Sequence, residues 1–126
     1  MINQVKDLLT ATSAFIRVQL AQDLEVIEDF SKTPEAIIYQ GDTTFGANQT
    51  DNFVVQAANK QIAVLLVCEA GRVEELENVI LSALIGFQSS ADYGGLEAIK
   101  AENYKITGHY YARKITFGTQ THIRQT

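Results

Sequence analysis

The chain is 126 residues long, 46% hydrophobic and 20% charged, with a formal net charge of -5. This length and composition predict one globular domain over residues 1–126 with a core of its own. The negative charge argues against a dedicated nucleic-acid-binding surface, which needs a basic patch. We expect neither a membrane span nor a signal peptide, because the apolar runs are short, so the cytoplasm of the producing cell is the expected compartment.

The first predicted element is a helix over 3–20. Its apolar residues recur at three- and four-residue steps and form one stripe: Val5, Leu8, Leu9, Phe15, Ile16 and Leu20. Short strand candidates follow at 24–30 and 36–40, on either side of Pro34. The acidic residues at 23, 25, 28 and 29 alternate with apolar ones, and an exposed strand edge explains them better than a catalytic carboxylate pair.

The next segment, GDTTFGANQTDN at 41–52, is polar and has no hydrophobic period. We expect a long loop or the mobile tip of a hairpin there. Residues 53–58 and 61–70 flank Asn59-Lys60, which predicts a hairpin between them. The segment 61–70 is apolar on both faces, so it is expected to be a central strand with something covering each face.

The segment GRVEELENVILSALIGFQ, 71–88, predicts an amphipathic helix. Its apolar stripe consists of Val73, Leu76, Ile80, Ala83, Leu84 and Phe87. Glutamates crowd the first turns, where the helix dipole favours negative charge, and Gly86 occupies the position of a left-handed C-terminal cap. The helix is expected to lie across the strand that precedes it, with the first helix beside it or on the other face of the sheet.

Residues 89–100 are expected to form a loop, and 104–124 read as β-structure with a bulge or bend at Gly108. This order of elements predicts an α+β fold, with a single mixed, mainly antiparallel β-sheet and two main helices packed on it.

The sequence contains no phosphate-binding loop, zinc motif or nucleophile elbow. The single cysteine, Cys68, lies in an apolar run and is expected to be a buried, unreactive thiol. His109 and His122 have no cysteine or carboxylate near them in sequence. We therefore assign no catalytic residue, no cofactor and no metal, and expect a protein that is not an enzyme.

Basic residues gather near the C-terminus, interleaved with tyrosines: Lys105, Arg113, Lys114 and Arg124 with Tyr104, Tyr110 and Tyr111. Such a strand can bind nucleic acid, blunt a sheet edge or pair with a neighbouring subunit, and all three readings stay open. Strand alternation places Arg113 and Lys114 on opposite faces.

The order of elements resembles that of the phage tail terminator family, the tail completion or minor tail proteins of long-tailed phages and Mu-like prophages. Three stretches carry the resemblance: QVKDLLTATSAFI leading to TPEAIIYQGD, QAANKQIAVLLVCEAG running into RVEELENVILSALIGFQ, and the closing YYARKITFGTQTHI. The resemblance spans nearly the whole chain and is one of pattern.

The resemblance implies a structural virion-assembly protein that forms a homo-oligomeric ring, usually a hexamer. Such a ring caps the tail tube, ends tube polymerisation and provides the head-joining surface. The implied partners are copies of the chain, the tail tube protein and a head-completion protein, with no membrane and with DNA only as passing cargo. The implied location is the virion tail, and the bacterial host cytoplasm during assembly. Six copies would carry a charge of -30, which suits a channel through which DNA must slide.

Six residues are expected to make subunit or tube contacts: Asp42, Phe45, Asn48 and Asp51 in the segment 41–52, and Arg113 and Lys114 on the last strand. Two alternatives remain. The chain could be another phage neck or head-completion protein, or a small bacterial α+β ligand-binding domain or enzyme. The latter predicts a pocket with convergent polar groups.

Overall fold

The computed structural model describes residues 1–20, 33–48, 55–91, 93–107 and 109–124. Its elements, in chain order, are helix α1 (Ile2–Ala11), strand β1 (Arg17–Leu20), strand β2 (Glu35–Asn48), strand β3 (Val55–Glu69), a 3-10 turn (Ala70–Arg72), helix α2 (Val73–Leu84), strand β4 (Glu97–Thr107) and strand β5 (Tyr110–Arg124). The strand expected at 24–30 lies outside the described residues.

All of these strands belong to one sheet, in the order β1-β2-β3-β5-β4. Strand β1 runs parallel to β2, and every other pair is antiparallel. The mixed, mainly antiparallel sheet confirms the α+β fold expected from the sequence. Strand β3 lies in the middle of the order, which confirms the central position predicted from its two apolar faces.

The hairpin predicted at Asn59-Lys60 is wrong, because β3 runs straight through these residues. Asn59 lies opposite Thr44 and Lys60 opposite Thr43, so both belong to the ladder with β2. An Asn-Lys pair lacks the glycine that a tight two-residue turn favours, and the neighbouring strands keep the chain extended. The hairpin is instead formed by β2 and β3, and the connection 49–54 lies outside the described residues.

The loop expected at 41–52 is likewise wrong over 41–48, where β2 continues as a strand up to Asn48. Its pairing with β3 shifts register between Gln40 and Thr43 and again between Phe45 and Asn48. Such irregularities interrupt the alternation of residues between the two faces of a strand. For this reason the sequence of 41–48 lacks the alternating apolar and polar pattern that indicates a strand. The remainder of the predicted loop, 49–52, lies outside the described residues.

The N-terminal helix is shorter than the predicted 3–20, because α1 ends at Ala11. The Thr12 hydroxyl donates a hydrogen bond to the Leu9 carbonyl, and Ser13 has a φ of 57°. The Thr12 hydroxyl competes locally with the helical backbone hydrogen bonds. The left-handed backbone of Ser13 does not continue an α-helix. The chain then enters β1. Ile16, which the sequence places on the apolar stripe of the helix, lies after the helix end and is 62% exposed.

Both helices pack on the same face of the sheet, side by side, over one hydrophobic core. Helix α2 contributes the buried Leu76, Ile80 and Leu84, as its apolar stripe predicted. Gly86 follows with a φ of 85°, which confirms the left-handed position after the helix.

Strand β3 places Ile62, Val64, Leu66 and Cys68 in this core. Its other face holds a smaller buried cluster of Ile37, Val67 and Ala112, against which Leu65 packs. Strand β4 begins at Glu97, so the loop expected at 89–100 is shorter than predicted.

Candidate assembly surfaces

Three strands extend together beyond the part of the sheet that the helices cover. We call this the arm, defined as residues 43–48 of β2, 55–60 of β3 and 119–124 of β5; β3 lies in the middle and pairs with β5 throughout and with β2 on either side of one register shift. Among the residues that the structure describes, the main core takes its share of β3 from 62–68 and none from the arm. Ala58 and Thr119 of the arm are buried as well, so the arm lies beyond the main core but has buried positions of its own.

A short segment after α2 ties down the base of the arm. Tyr93 pairs as an isolated bridge with Thr121, and the Gly94 amide donates to the Gln120 carbonyl at 2.9 Å. The Lys60 ammonium donates to the Tyr93 hydroxyl at 3.0 Å and lies 5.3 Å from the centre of its ring. These contacts join the segment to β3 and β5 at the base of the arm.

Three of the expected contact residues lie in or beside the arm. Asp42 lies at the first register irregularity of β2, Phe45 is opposite Ala58, and Asn48 ends the strand opposite Gln56. The fourth, Asp51, lies outside the described residues. The structure thus places the backbone of Phe45 and Asn48 within the arm, and that of Asp42 at its base. Their contact with a partner stays a prediction.

Arg113 faces the helices and is engaged within the chain. Its Nε lies 2.9 Å from Oε2 of Glu77 on α2, and its Nη1 donates to Oδ1 of Asn103 at 2.5 Å. The Nε–H does not point at the carboxylate, so the contact with Glu77 is an ion pair without a hydrogen bond. A charge reversal here would place two carboxylates together and weaken the fold, which makes Arg113 a poor probe of assembly.

Lys114 lies on the opposite face of β5, as the alternation predicted. Its ammonium lies 5.5 Å from the centre of the Tyr39 ring, within reach of a cation–π interaction. In the sheet it is directly opposite Leu65 on β3 and Glu102 on β4. Lys114 thus belongs to the face without helices, where its charge is accessible to a partner.

A buried polar cluster that the sequence analysis did not single out joins β1 to β2. The Glu35 side chain is 1% exposed, and its Oε2 accepts hydrogen bonds from Nε and Nη2 of Arg17 at 3.0 and 2.7 Å. Its Oε1 accepts a bond from Nε2 of Gln19 at 2.5 Å. The alternation in the sequence RVQL could have indicated that Arg17 and Gln19 share a face. Their common partner follows only from the parallel pairing with β2.

A polar cleft of about 350 Å³ lies at the base of the arm, on the face without helices. Its lining consists of amide, hydroxyl and glycine groups with one carboxylate and one apolar side chain: Thr44, Asn59, Gln61, Gly94, Gly95, Glu97, Ile99, Gly118, Thr119 and Gln120. These groups can form hydrogen bonds. Among the described residues, the lining contains no histidine, cysteine or lysine.

Cys68 lies in the main core, 1% exposed, as expected. Burial raises the pKa of its thiol to about 11, although the nearby Arg72 guanidinium acts in the opposite direction. In the described ranges, no group of three or more His, Cys, Asp or Glu side chains is arranged to hold a metal ion. Nor does any helix there have the length and apolarity to cross a membrane.

Comparison with known proteins gives a fold-level likeness. No protein-family model matches the chain, and no curated protein matches it in sequence. Among solved structures, it is similar to a chain of the "Virion of native gene transfer agent (GTA) particle", with a TM-score of 0.56 and 12% identity. The match covers 97% of this chain and 92% of the other. The two chains therefore share an arrangement of elements over nearly their whole lengths.

Proposed function

We propose that this protein is a structural component of a phage or phage-derived particle that assembles into a ring, caps the tail tube and offers a surface for the head. The observation that carries the proposal is the likeness in fold to a chain of a gene transfer agent virion, which covers 97% of this chain. It agrees with the resemblance of the element order to the tail terminator family.

The arm supplies a surface suited to this role. It presents paired strands that lie outside the main core, and its base is fixed by Tyr93 and Gly94. A neighbouring subunit or the rim of a tube could pack against such an arm without contacting the main core, since the described residues of that core lie outside the arm. In this proposal Phe45 and Asn48 contact the partner from the arm, with Asp42 at its base and Asp51 beyond the end of β2.

The proposal includes the absence of enzymatic turnover. The cleft at the base of the arm would then be a recess between assembling subunits, lined by groups that form hydrogen bonds with a partner or with water. Its amides and hydroxyls suit such contacts, because interface rims are polar and wet.

Native mass spectrometry of the protein, alone and mixed with the tail tube protein from the same genome, tests the proposal. Six copies of a 13.9 kDa chain would give a ring of about 83 kDa, which is expected in the mixture, bound to the tube protein. Binding to a head-completion protein with no affinity for the tube protein would favour a different neck component. A protein that stays monomeric with both partners would contradict the proposal.

A further inference from the structure

The open edge of the sheet on β4 carries a charge pattern that complements itself. Strand β4 is 11 residues long and is the last strand in the order, with β5 on its inner side. In the part of the chain that the structure describes, no strand pairs with its outer side. Such an edge exposes backbone donors and acceptors that another strand can bind.

The middle of β4 places two opposite charges on one face. Lys100 lies opposite Thr116 and Glu102 opposite Lys114, so both project from the face without helices. Ala101 lies between them and projects to the other face. Lys100 and Glu102 form an ion pair with each other, and their side chains are 62% and 33% exposed, so both remain partly accessible from solvent at the edge.

An antiparallel second copy of β4 fits this pattern when Ala101 lies on the twofold axis. Residues equally far from Ala101 then face each other, and Lys100 lies opposite Glu102 of the partner subunit. The same contact occurs twice, as a twofold interface requires. We propose that two copies of this protein pair through β4 in this register and extend the sheet across the interface.

The arrangement also extends a row of alternating charges across the sheet. Lys114 of β5 lies opposite Glu102 within the chain. In the dimer, Glu102 would in turn lie opposite Lys100 of the partner subunit. Opposite charges directly across a strand pair stabilise it, and like charges destabilise it. An edge designed only to repel other strands would carry one sign of charge at these positions.

Ile99 gives a second reason for a partner at this edge. It occupies the bulge between Ala98 and Lys100 and is 54% exposed, although it is a large apolar side chain. The side chain lies over Gly118 of β5, where the absence of a Cβ leaves room for it. A strand added along β4 would remove part of Ile99 from water, which favours association.

Charge exchange between copies tests the pairing. The variants are Lys100→Glu, Glu102→Lys and the double variant, with Glu74→Lys on the exposed face of α2 as the control for net charge. Lys100→Glu places Glu opposite Glu102 of the partner subunit, and Glu102→Lys places Lys opposite Lys100 of the partner subunit. Each single variant should weaken the dimer about tenfold or more, because both symmetric contacts become repulsive. The double variant restores the attraction between copies and should dimerise more strongly than either single variant, although it places a lysine opposite Lys114 within the chain.

The decisive sample is an equimolar mixture of the two single variants. One chain then carries two acidic and the other two basic residues at these positions, so a heterodimer regains both attractive contacts. Sedimentation of each sample without other proteins should show a species of about 28 kDa for the wild type, the double variant, the control and the mixture. A monomeric wild type, single variants that associate normally, or a mixture without recovery would overturn the proposal. The measurement is independent of the proposed ring, since no tube protein is present.

Discussion

Glu35 is a carboxylate held almost out of contact with water by two side chains of the neighbouring strand. Burial of a charged group is costly unless it is paired and hydrogen-bonded. Arg17 supplies the charge and two donors, and Gln19 supplies a third. Because these residues come from β1 and the acceptor from β2, the cluster stabilises the parallel pairing at this side of the sheet.

We expect Arg17→Met to lower the free energy of unfolding by about 2 kcal/mol, because the buried carboxylate loses its charged partner. Urea denaturation measures the loss. The matched control is Arg72→Met, which breaks the exposed Arg72–Glu75 pair and should cost less than about 0.5 kcal/mol. Equal effects of the two substitutions would show that the Glu35 cluster does not stabilise the fold.

The buried thiol of Cys68 should make the folded protein less stable at alkaline pH. Its pKa is about 11 in the folded protein, while the pKa of an unfolded cysteine is about 8.5. Above the lower value the unfolded state releases the proton and the folded state keeps it, so stability falls as the pH rises towards 11. The stability of the wild type relative to Cys68→Ala should fall by about 1 kcal/mol per pH unit between roughly pH 9 and 10.5.

Denaturant titrations of both proteins across this pH range provide the measurement. All other ionisable groups are common to both proteins, so their contribution cancels in the difference. A difference that does not change with pH would mean that the folded thiol has an ordinary pKa. Rapid alkylation of Cys68 in the native protein would likewise show that its folded thiol is accessible and ionises in the ordinary range.

At the scale of single elements, the sequence predicts those whose pattern has only one interpretation. The apolar period of 71–88 predicts helix α2, and the two apolar faces of 61–70 predict the central position of β3, although β3 begins earlier, at Val55, than the sequence indicates. The region 3–20 was misread because the apolar residues after Ser13 fit a helical stripe equally well. There the pairing of β1 with β2, a long-range contact, decides the structure.

The arm and the Glu35 cluster escaped prediction for related reasons. The register irregularities of β2 erase the alternation that would reveal a strand over 41–48. Glu35 precedes an apolar run, where a glutamate is ordinarily a solvent-exposed strand end. Its burial depends on residues 16 and 18 positions earlier in the chain, which local pattern cannot reveal.

The two faces of β3 should respond differently to the same substitution. Leu66 is fully buried beneath the helices, so Leu66→Asp should unfold the protein, because an isolated buried charge costs several kcal/mol. Leu65 is half-buried against the smaller cluster on the other face, and Asp there can reach water, so Leu65→Asp should leave a folded but less stable protein. Circular dichroism and thermal melting distinguish the two. Equal damage would mean that the helix-free face is as tightly packed as the core.

The connection between β2 and β3, which contains Asp51, can be tested apart from the main core. Replacing residues 49–54 with a Gly-Ser segment of equal length removes the side chains between the two strands and keeps the chain length. We expect the melting temperature to change by less than about 3 °C, because the main core is formed by residues in other parts of the chain among those that the structure describes. Binding to the tail tube protein should be lost. Unchanged binding would show that the side chains of 49–54 take no part in the contact.

At the scale of the whole molecule, the proposed surfaces lie apart from one another in the sheet. The arm is formed by β2, β3 and β5, and the helices cover one face of the sheet. The open edge of β4 is at the end of the sheet opposite β1. A subunit with separate surfaces can contact a neighbour, a tube and a second copy at the same time. The net charge of -5 per chain disfavours adhesion of DNA to such an assembly.

Tube length is the most direct measure of the central claim. The tail tube protein from the same genome is polymerised in vitro with increasing amounts of this protein, and tube lengths are measured by electron microscopy. If the protein caps tubes, mean length should fall as its concentration rises, with one ring visible at the tube end, while the 49–54 Gly-Ser variant leaves length unchanged. Tubes of unaltered length, with no density at their ends at saturating protein, would contradict the account.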